Sequence, residues 1–122
     1  MEWSFQDGLP IWQQLYETLR REIAIGGYAP GSKMPTVREL AAQAGVNPNT
    51  MQRALSQLES DNLVITNRTA GRTVTEDTEI LENVRRELAQ HQVQSYLQQM
   101  ALLGYTAGEA AQLLIQEKEE TL

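Results

Sequence analysis

Two helical signatures lie almost back to back near the middle of this 122-residue chain. Thr36-Val-Arg-Glu39 is a capping box: the Thr hydroxyl accepts the third backbone N–H of a helix and the Glu side chain reaches back to the cap. Val37, Leu40, Ala41 and Ala44 give that short helix one apolar face, and Gly45 stops it. Two residues later Asn47-Pro48 opens a second helix, an N-cap followed by proline in the first turn. Met51, Ala54, Leu55 and Leu58 form its inner side. At 100° per residue, Asn49, Gln52, Arg53 and Ser56 then point outward, with Thr50 at the edge of that face. So short a connection makes the two helices cross steeply. Small Ala41 permits the close approach and Val46 plugs the crossing.

The flanking segments supply what this pair packs against. From Pro10, the residues Ile11, Leu15, Leu19 and Ile23 recur every four positions, with Trp12 and Tyr16 beside them, until Gly26-Gly27 ends the helix. Tyr28 to Ser32 reads as a turn. Beyond Asp61-Asn62, Leu63–Thr66 and Arg72–Thr75 read as strands around a polar turn, Asn67 to Gly71. A hairpin this small is marginal alone and must pack on the helices. A long helix is expected from about Glu79 to Leu103, with a polar middle from Ala89 to Ser95. Gly104 closes it, and a second capping box, Thr106-Ala-Gly-Glu109, opens a final helix with Ala110, Leu113 and Leu114 inward. The tail Glu117–Leu122 is expected to fray.

Composition narrows the function. There are no cysteines, so a disulfide scaffold, a thiolate metal site and a Cys nucleophile are excluded. No apolar run approaches the ~20 residues that span a bilayer, and MEWSFQDGLP does not read as a signal peptide, so a cytoplasmic location without membrane contact is expected. The single histidine, His91, falls in a polar helical stretch. No glycine-rich loop follows a strand and no His or carboxylate cluster has metal spacing, so neither an enzyme nor a cofactor is expected. The acidic run Glu117, Glu119, Glu120 reads as a solvated helix end.

Net charge is −6, but residues 1–75 are balanced and all the excess lies in residues 76–122. The segment 33–75 carries a net +2. A mildly basic middle permits phosphate binding on one face. The outward face of the second helix offers amides, hydroxyls and a guanidinium, with no carboxylate before Glu59. That set suits base edges and phosphates, and the hairpin behind it places Arg68 and Arg72 around its turn. The competing interpretation is a protein-interaction module without DNA binding. It calls for an apolar or acidic face, and this face is neither.

In order, Ala-Pro30-Gly31-Ser-Lys-Met34-Pro35-Thr36-Val37-Arg38-Glu39-Leu40-Ala41 and Gly45-Val46-Asn47-Pro48-Asn49-Thr50-Met51 resemble the winged helix-turn-helix of the GntR family of bacterial repressors, over residues 11–75. The stretch Val37–Ala42 with Gly45–Thr50, and the start Gly8-Leu-Pro-Ile-Trp12-Gln-Gln-Leu15, are similar to the YtrA-like subfamily, whose members carry a short tail of about two helices. The wing departs from the family pattern: Ala70 and Arg72 stand where glycine and small residues are usual.

The resemblance implies a mainly α fold with a small β-hairpin wing. A DNA-binding domain at 1–76 would be followed by a two-helix dimerisation tail at 77–122. It implies a homodimer on a two-fold symmetric double-stranded DNA operator, expected to repress and to control its own operon and a transporter. Carried over by position, the DNA contacts are Lys33, Arg38, Asn47, Asn49, Thr50, Gln52, Arg53, Arg68, Gly71 and Arg72. The dimer seam is assigned to Leu81, Val84, Leu88, Tyr96, Leu97, Met100, Leu103, Leu113 and Leu114. A small-molecule effector, if one exists, is expected between tail and winged domain or at the dimer seam.

Overall fold

The computed structural model describes residues 1–121. Its elements are α1 (Ile11–Ala24), α2 (Val37–Ala44), α3 (Pro48–Ser60), β1 (Val64–Asn67), β2 (Gly71–Val74), α4 (Thr78–Leu102) and α5 (Ala107–Thr121). The chain forms two compact units, one of residues 1–85 and one beginning at Arg86.

The first unit is built on the inner stripes of α1, α2 and α3. Leu15, Leu19 and Ile23 of α1, Leu40 and Ala41 of α2, and Met51, Ala54, Leu55 and Leu58 of α3 are buried, joined by Met34, Leu63, Val64 and Val74. Burying a residue of this size contributes roughly 1.5–3 kcal/mol, so this cluster is the main source of the unit's stability. Ile11, first of the four-residue series, is exposed because it sits at the open end of α1.

Local chemistry sets the ends of these helices. Thr36 Oγ1 accepts the Glu39 N–H at 3.1 Å and a Glu39 carboxylate oxygen accepts the Thr36 N–H at 3.4 Å, which completes the capping box. Gly45 takes the left-handed conformation at φ 70°, and the Val46 N–H donates to the Ala41 carbonyl at 3.0 Å. That reversal leads directly into the Asn47 cap, whose side chain accepts the Asn49 N–H at 2.8 Å. At the far end of α3, Asn62 is left-handed at φ 62°. The Leu63 N–H donates to the Leu58 carbonyl at 2.9 Å and the Asn62 N–H to the Glu59 carbonyl at 3.0 Å. This is a Schellman closure, with buried Leu58 and Leu63 as its apolar pair. Leu63 therefore belongs to the helix stop, and the strand starts one residue later than the alternation suggests.

The hairpin pairs antiparallel, with Val64 opposite Val74 and Asn67 opposite Gly71. It has a third partner that the sequence reading treats as a plain turn and its sequel. The Gly31 N–H donates to the Val74 carbonyl, the Val74 N–H to the Ser32 carbonyl and the Met34 N–H to the Arg72 carbonyl, each at 2.9 Å, and Lys33 bridges to Thr73. The wing is thus stitched to the segment that leads into α2.

In the second unit, the Tyr96 hydroxyl donates to the Ala110 carbonyl at 2.7 Å and ties α5 to the later part of α4. The α4 stop is a Schellman closure at Gly104, φ 93°, with the Tyr105 N–H donating to the Met100 carbonyl at 3.0 Å. Thr106 and Glu109 form the second capping box. Two expectations are corrected here. Of Ala110, Leu113 and Leu114, only Ala110 is buried; the two leucines share its face of α5, one turn on, but are exposed. The tail does not fray from Glu117: α5 continues to Thr121, and Leu122 lies outside the described residues. No helix among the described residues is long and apolar enough to cross a membrane.

Candidate nucleic-acid interface

Asn49, Gln52, Arg53 and Ser56 are all exposed on α3, as the helical period requires once Met51, Ala54, Leu55 and Leu58 are buried. Thr50 is half-buried at the edge of this face. The Gln52 amide donates to Ser56 Oγ at 3.1 Å, one turn on. Asn47 is exposed, but its side-chain oxygen is engaged in the cap.

A second group comes from the opposite end of α2. Lys33, Arg38, Gly71 and Arg72 line one recess of about 390 Å³, together with Met34, Pro35, Thr36 and Val37. The pairing of residues 31–34 with β2 brings these positions together across a long sequence gap. Lys33 and Arg38 are exposed there. Arg68 is exposed in the hairpin turn, apart from this recess.

The arginines near α3 are held in different ways. Arg72 donates its Nε–H to the Glu59 carboxylate, and both side chains are half-buried. Partial burial alone would raise the Glu59 carboxyl pKa; the hydrogen bonds from Arg72 and Thr66 and the charge of Arg72 instead hold it below the usual carboxylate range. Arg53 stacks on the Trp12 ring, with its guanidinium carbon 4.2 Å from the ring centroid. Neither Glu59 nor Trp12 stands among the residues the sequence singles out for this face. The available signals were that Glu59 is the one carboxylate of α3 and that Trp12 lies off the buried stripe of α1.

At the C-cap of α3, Asp61 accepts hydrogen bonds from the Tyr16 hydroxyl and, at 3.2 Å, from the Gln57 amide. Burial first, then the hydrogen bond to Asp61 and its negative charge, push the Tyr16 hydroxyl well above the ordinary tyrosine range. Gln14 fastens the stretch before α1: its oxygen accepts the Gln6 N–H at 2.8 Å and its amide donates to the Leu9 carbonyl at 2.9 Å. A recess of about 620 Å³ lies there, lined in part by Leu9, Trp12, Gln14, Tyr16 and Gln57. Among the described residues no group of three His, Cys, Asp or Glu could hold a metal ion.

The architecture and residues match known proteins in register. Residues 11–74 match the model of the family described as bacterial regulatory proteins, gntR family. The HTH-type transcriptional regulator YhcF of Bacillus subtilis (strain 168) is 35% identical over 109 residues, 89% of this chain and 90% of that one. The HTH-type transcriptional repressor YtrA of the same organism is 31% identical over 102 residues, 81% of this chain and 74% of that one. A solved GntR family transcriptional regulator from Listeria monocytogenes superposes with a TM-score of 0.80 at 32% identity, over 92% of this chain and 98% of that one. These similar proteins are regulators rather than enzymes, and their likeness runs through the second unit as well as the first. The chain belongs to the gntR family of bacterial regulatory proteins and is a transcription regulator.

Proposed function

We propose that this chain binds a two-fold symmetric DNA operator as a homodimer and represses transcription, with its own operon and transport genes as the expected targets. The observation that carries the reading is the α3 surface: Asn49, Gln52, Arg53 and Ser56 stand exposed side by side with no carboxylate among them. Amides and guanidinium groups match the donor and acceptor pattern of base edges in the major groove. Lys33 and Arg38, gathered at the recess beside β2, suit phosphates, which fix register without reading sequence. Arg68, Gly71 and Asn47 complete the proposed DNA-contacting set with Thr50. Arg72 enters it through whatever donors its bond to Glu59 leaves free. The repressor role is supported by the likeness to YtrA, which is named as a repressor.

Dimerisation is supported by apolar surface in the second unit, which begins at Arg86 within the proposed tail of residues 77–122. Leu103 is 72% exposed and Leu102 89% exposed, with Leu113, Leu114 and Ile115 also open. Tyr96, Leu97, Met100 and Leu88 are half-buried and form the margin of this proposed seam. Leu81 is half-buried in the first unit and Val84 is buried there, so those two contribute less to a partner than the later residues do. Two dyad-related α3 helices about 34 Å apart would read half-sites one DNA turn apart.

A gel-shift titration against salt tests the reading. DNA binding through phosphates gives an affinity that falls with salt, by about 0.9 log units per tenfold salt for each phosphate neutralised. Binding that ignores salt, or no duplex retained from a random-sequence pool, favours the protein-interaction alternative. Sedimentation at micromolar concentration tests the dimer, and a stable monomer refutes it.

A further inference from the structure

We infer that Trp12 is a positioning residue for DNA reading, its indole face presenting the Arg53 guanidinium outward from α3. The inference rests on the DNA-binding role proposed above and adds a residue of α1 to it. Trp12 is half-buried in the second position of α1, so its ring is anchored by the packing of α1 against α3. Arg53 is exposed on the outward face of α3, and its guanidinium carbon sits 4.2 Å from the centre of that ring.

The chemistry of the two arginine contacts explains why this one serves recognition. The N–H bonds of a guanidinium lie in its plane and radiate from its edge. A carboxylate engages that edge and uses up donors, as Glu59 does with Arg72 Nε. An aromatic ring engages the face and leaves every donor available for a guanine edge or a phosphate. Stacking also removes rotamer freedom before DNA arrives, which lowers the cost of ordering a long side chain on binding. Arg53 is therefore held in place with its donors unspent.

A double-mutant cycle on the full chain tests this. The probe is a duplex selected from a random-sequence pool by the unsubstituted protein, with affinity compared across single base-pair changes. Arg53→Ala weakens binding and flattens the preference at its own base pair. Trp12→Leu keeps apolar bulk but loses the aromatic face. It weakens binding about two- to fivefold, the size expected of an exposed cation–π contact, and flattens the preference at the same base pair. Trp12→Tyr restores most of both. The double variant binds no worse than Arg53→Ala alone. Melting temperatures of all variants control for folding. In a Trp3→Phe background Trp12 is the sole tryptophan, and its emission shifts on Arg53→Ala without any DNA.

The inference is overturned if Trp12→Leu keeps full affinity while Arg53→Ala loses it. It is equally overturned if Trp12→Leu weakens all base pairs alike and adds to the Arg53→Ala loss. If Arg38→Ala weakens binding while Arg53→Ala leaves it intact, DNA binding stands and the Trp12 role falls. If the unsubstituted protein retains no duplex at all, the DNA-binding role itself falls, and the Trp12 role falls with it.

Discussion

Arg72 on β2 donates its Nε–H to the Glu59 carboxylate near the end of α3, joining the wing to the proposed recognition helix by a half-buried ion pair. Removing one partner leaves the other uncompensated, which costs more than the pair contributes when intact. Glu59→Ala is expected to destabilise the fold by about 1 kcal/mol, within the range for a charge-assisted contact at partial exposure. A thermal melt should show a drop of roughly 3–5 °C. The Glu59 carboxyl sits below its unfolded value, so its contribution is complete above about pH 4.3 and fades as pH falls through the lowered folded value. Acid melts of Glu59→Gln should therefore lose less stability below that pH than the unsubstituted chain does.

Tyr16 predicts the alkaline counterpart. Its hydroxyl is raised by burial and by Asp61, so the folded state keeps that proton more tightly than the unfolded state. The resulting stability is complete below about pH 10 and is lost as pH climbs toward the folded value. Absorbance titration should find two of the four tyrosines, Tyr16 and Tyr28, ionising later than an exposed one, Tyr28 because of its burial and the nearby Glu22 charge. Tyr16→Phe should remove one of these two late ionisations, leaving that of Tyr28, and flatten the loss of stability above pH 10.

The eight residues of α2 make its cap matter more than it would in a long helix. Thr36→Ala removes the acceptor for the Glu39 N–H and should cost about 1 kcal/mol. Thr36→Ser retains the oxygen and should restore most of it. Equilibrium urea unfolding with an unchanged slope would separate a stability effect from a change in the unfolded chain.

Asn62 stands in the left-handed conformation at the α3 stop. Asn62→Ala keeps the Cβ but loses the amide side chain that eases the left-handed conformation, and should cost about 1 kcal/mol, whereas Asn62→Gly removes the Cβ and should be neutral or mildly stabilising. A β-branched Asn62→Val should be the worst of the three, and unfolding midpoints give the ranking.

Leu55 is wholly buried at the centre of the first unit. Leu55→Ala should destabilise by about 2–5 kcal/mol, since the lost contacts and the cavity add. Any loss of DNA binding should track the unfolded fraction, and a duplex that rescued the melt would show that the face itself is intact.

Local rules made much of this fold legible. The Thr36 and Thr106 capping boxes, the Asn47-Pro48 start and the Gly45 and Gly104 stops act within four residues of themselves, and each occurs where its spacing places it. The outward set on α3 follows from the 3.6-residue period once its buried stripe is known. The third partner of the wing was not legible, because pairing of residues 31–34 with β2 depends on backbone groups about forty residues apart and carries no side-chain signature. The contacts of Arg53 and Arg72 were hidden for the same reason. Trp12 and Glu59 lie far from at least one partner along the chain or face it only after three helices have packed.

What this sequence determined by itself is where each helix begins, where it ends and which stripe it buries, since backbone hydrogen bonding and side-chain period are properties of neighbouring residues. Only the tertiary structure decided which arginine keeps its donors and which has already given one to a carboxylate. That choice depends on the distance between groups on different elements, and packing alone fixes such distances.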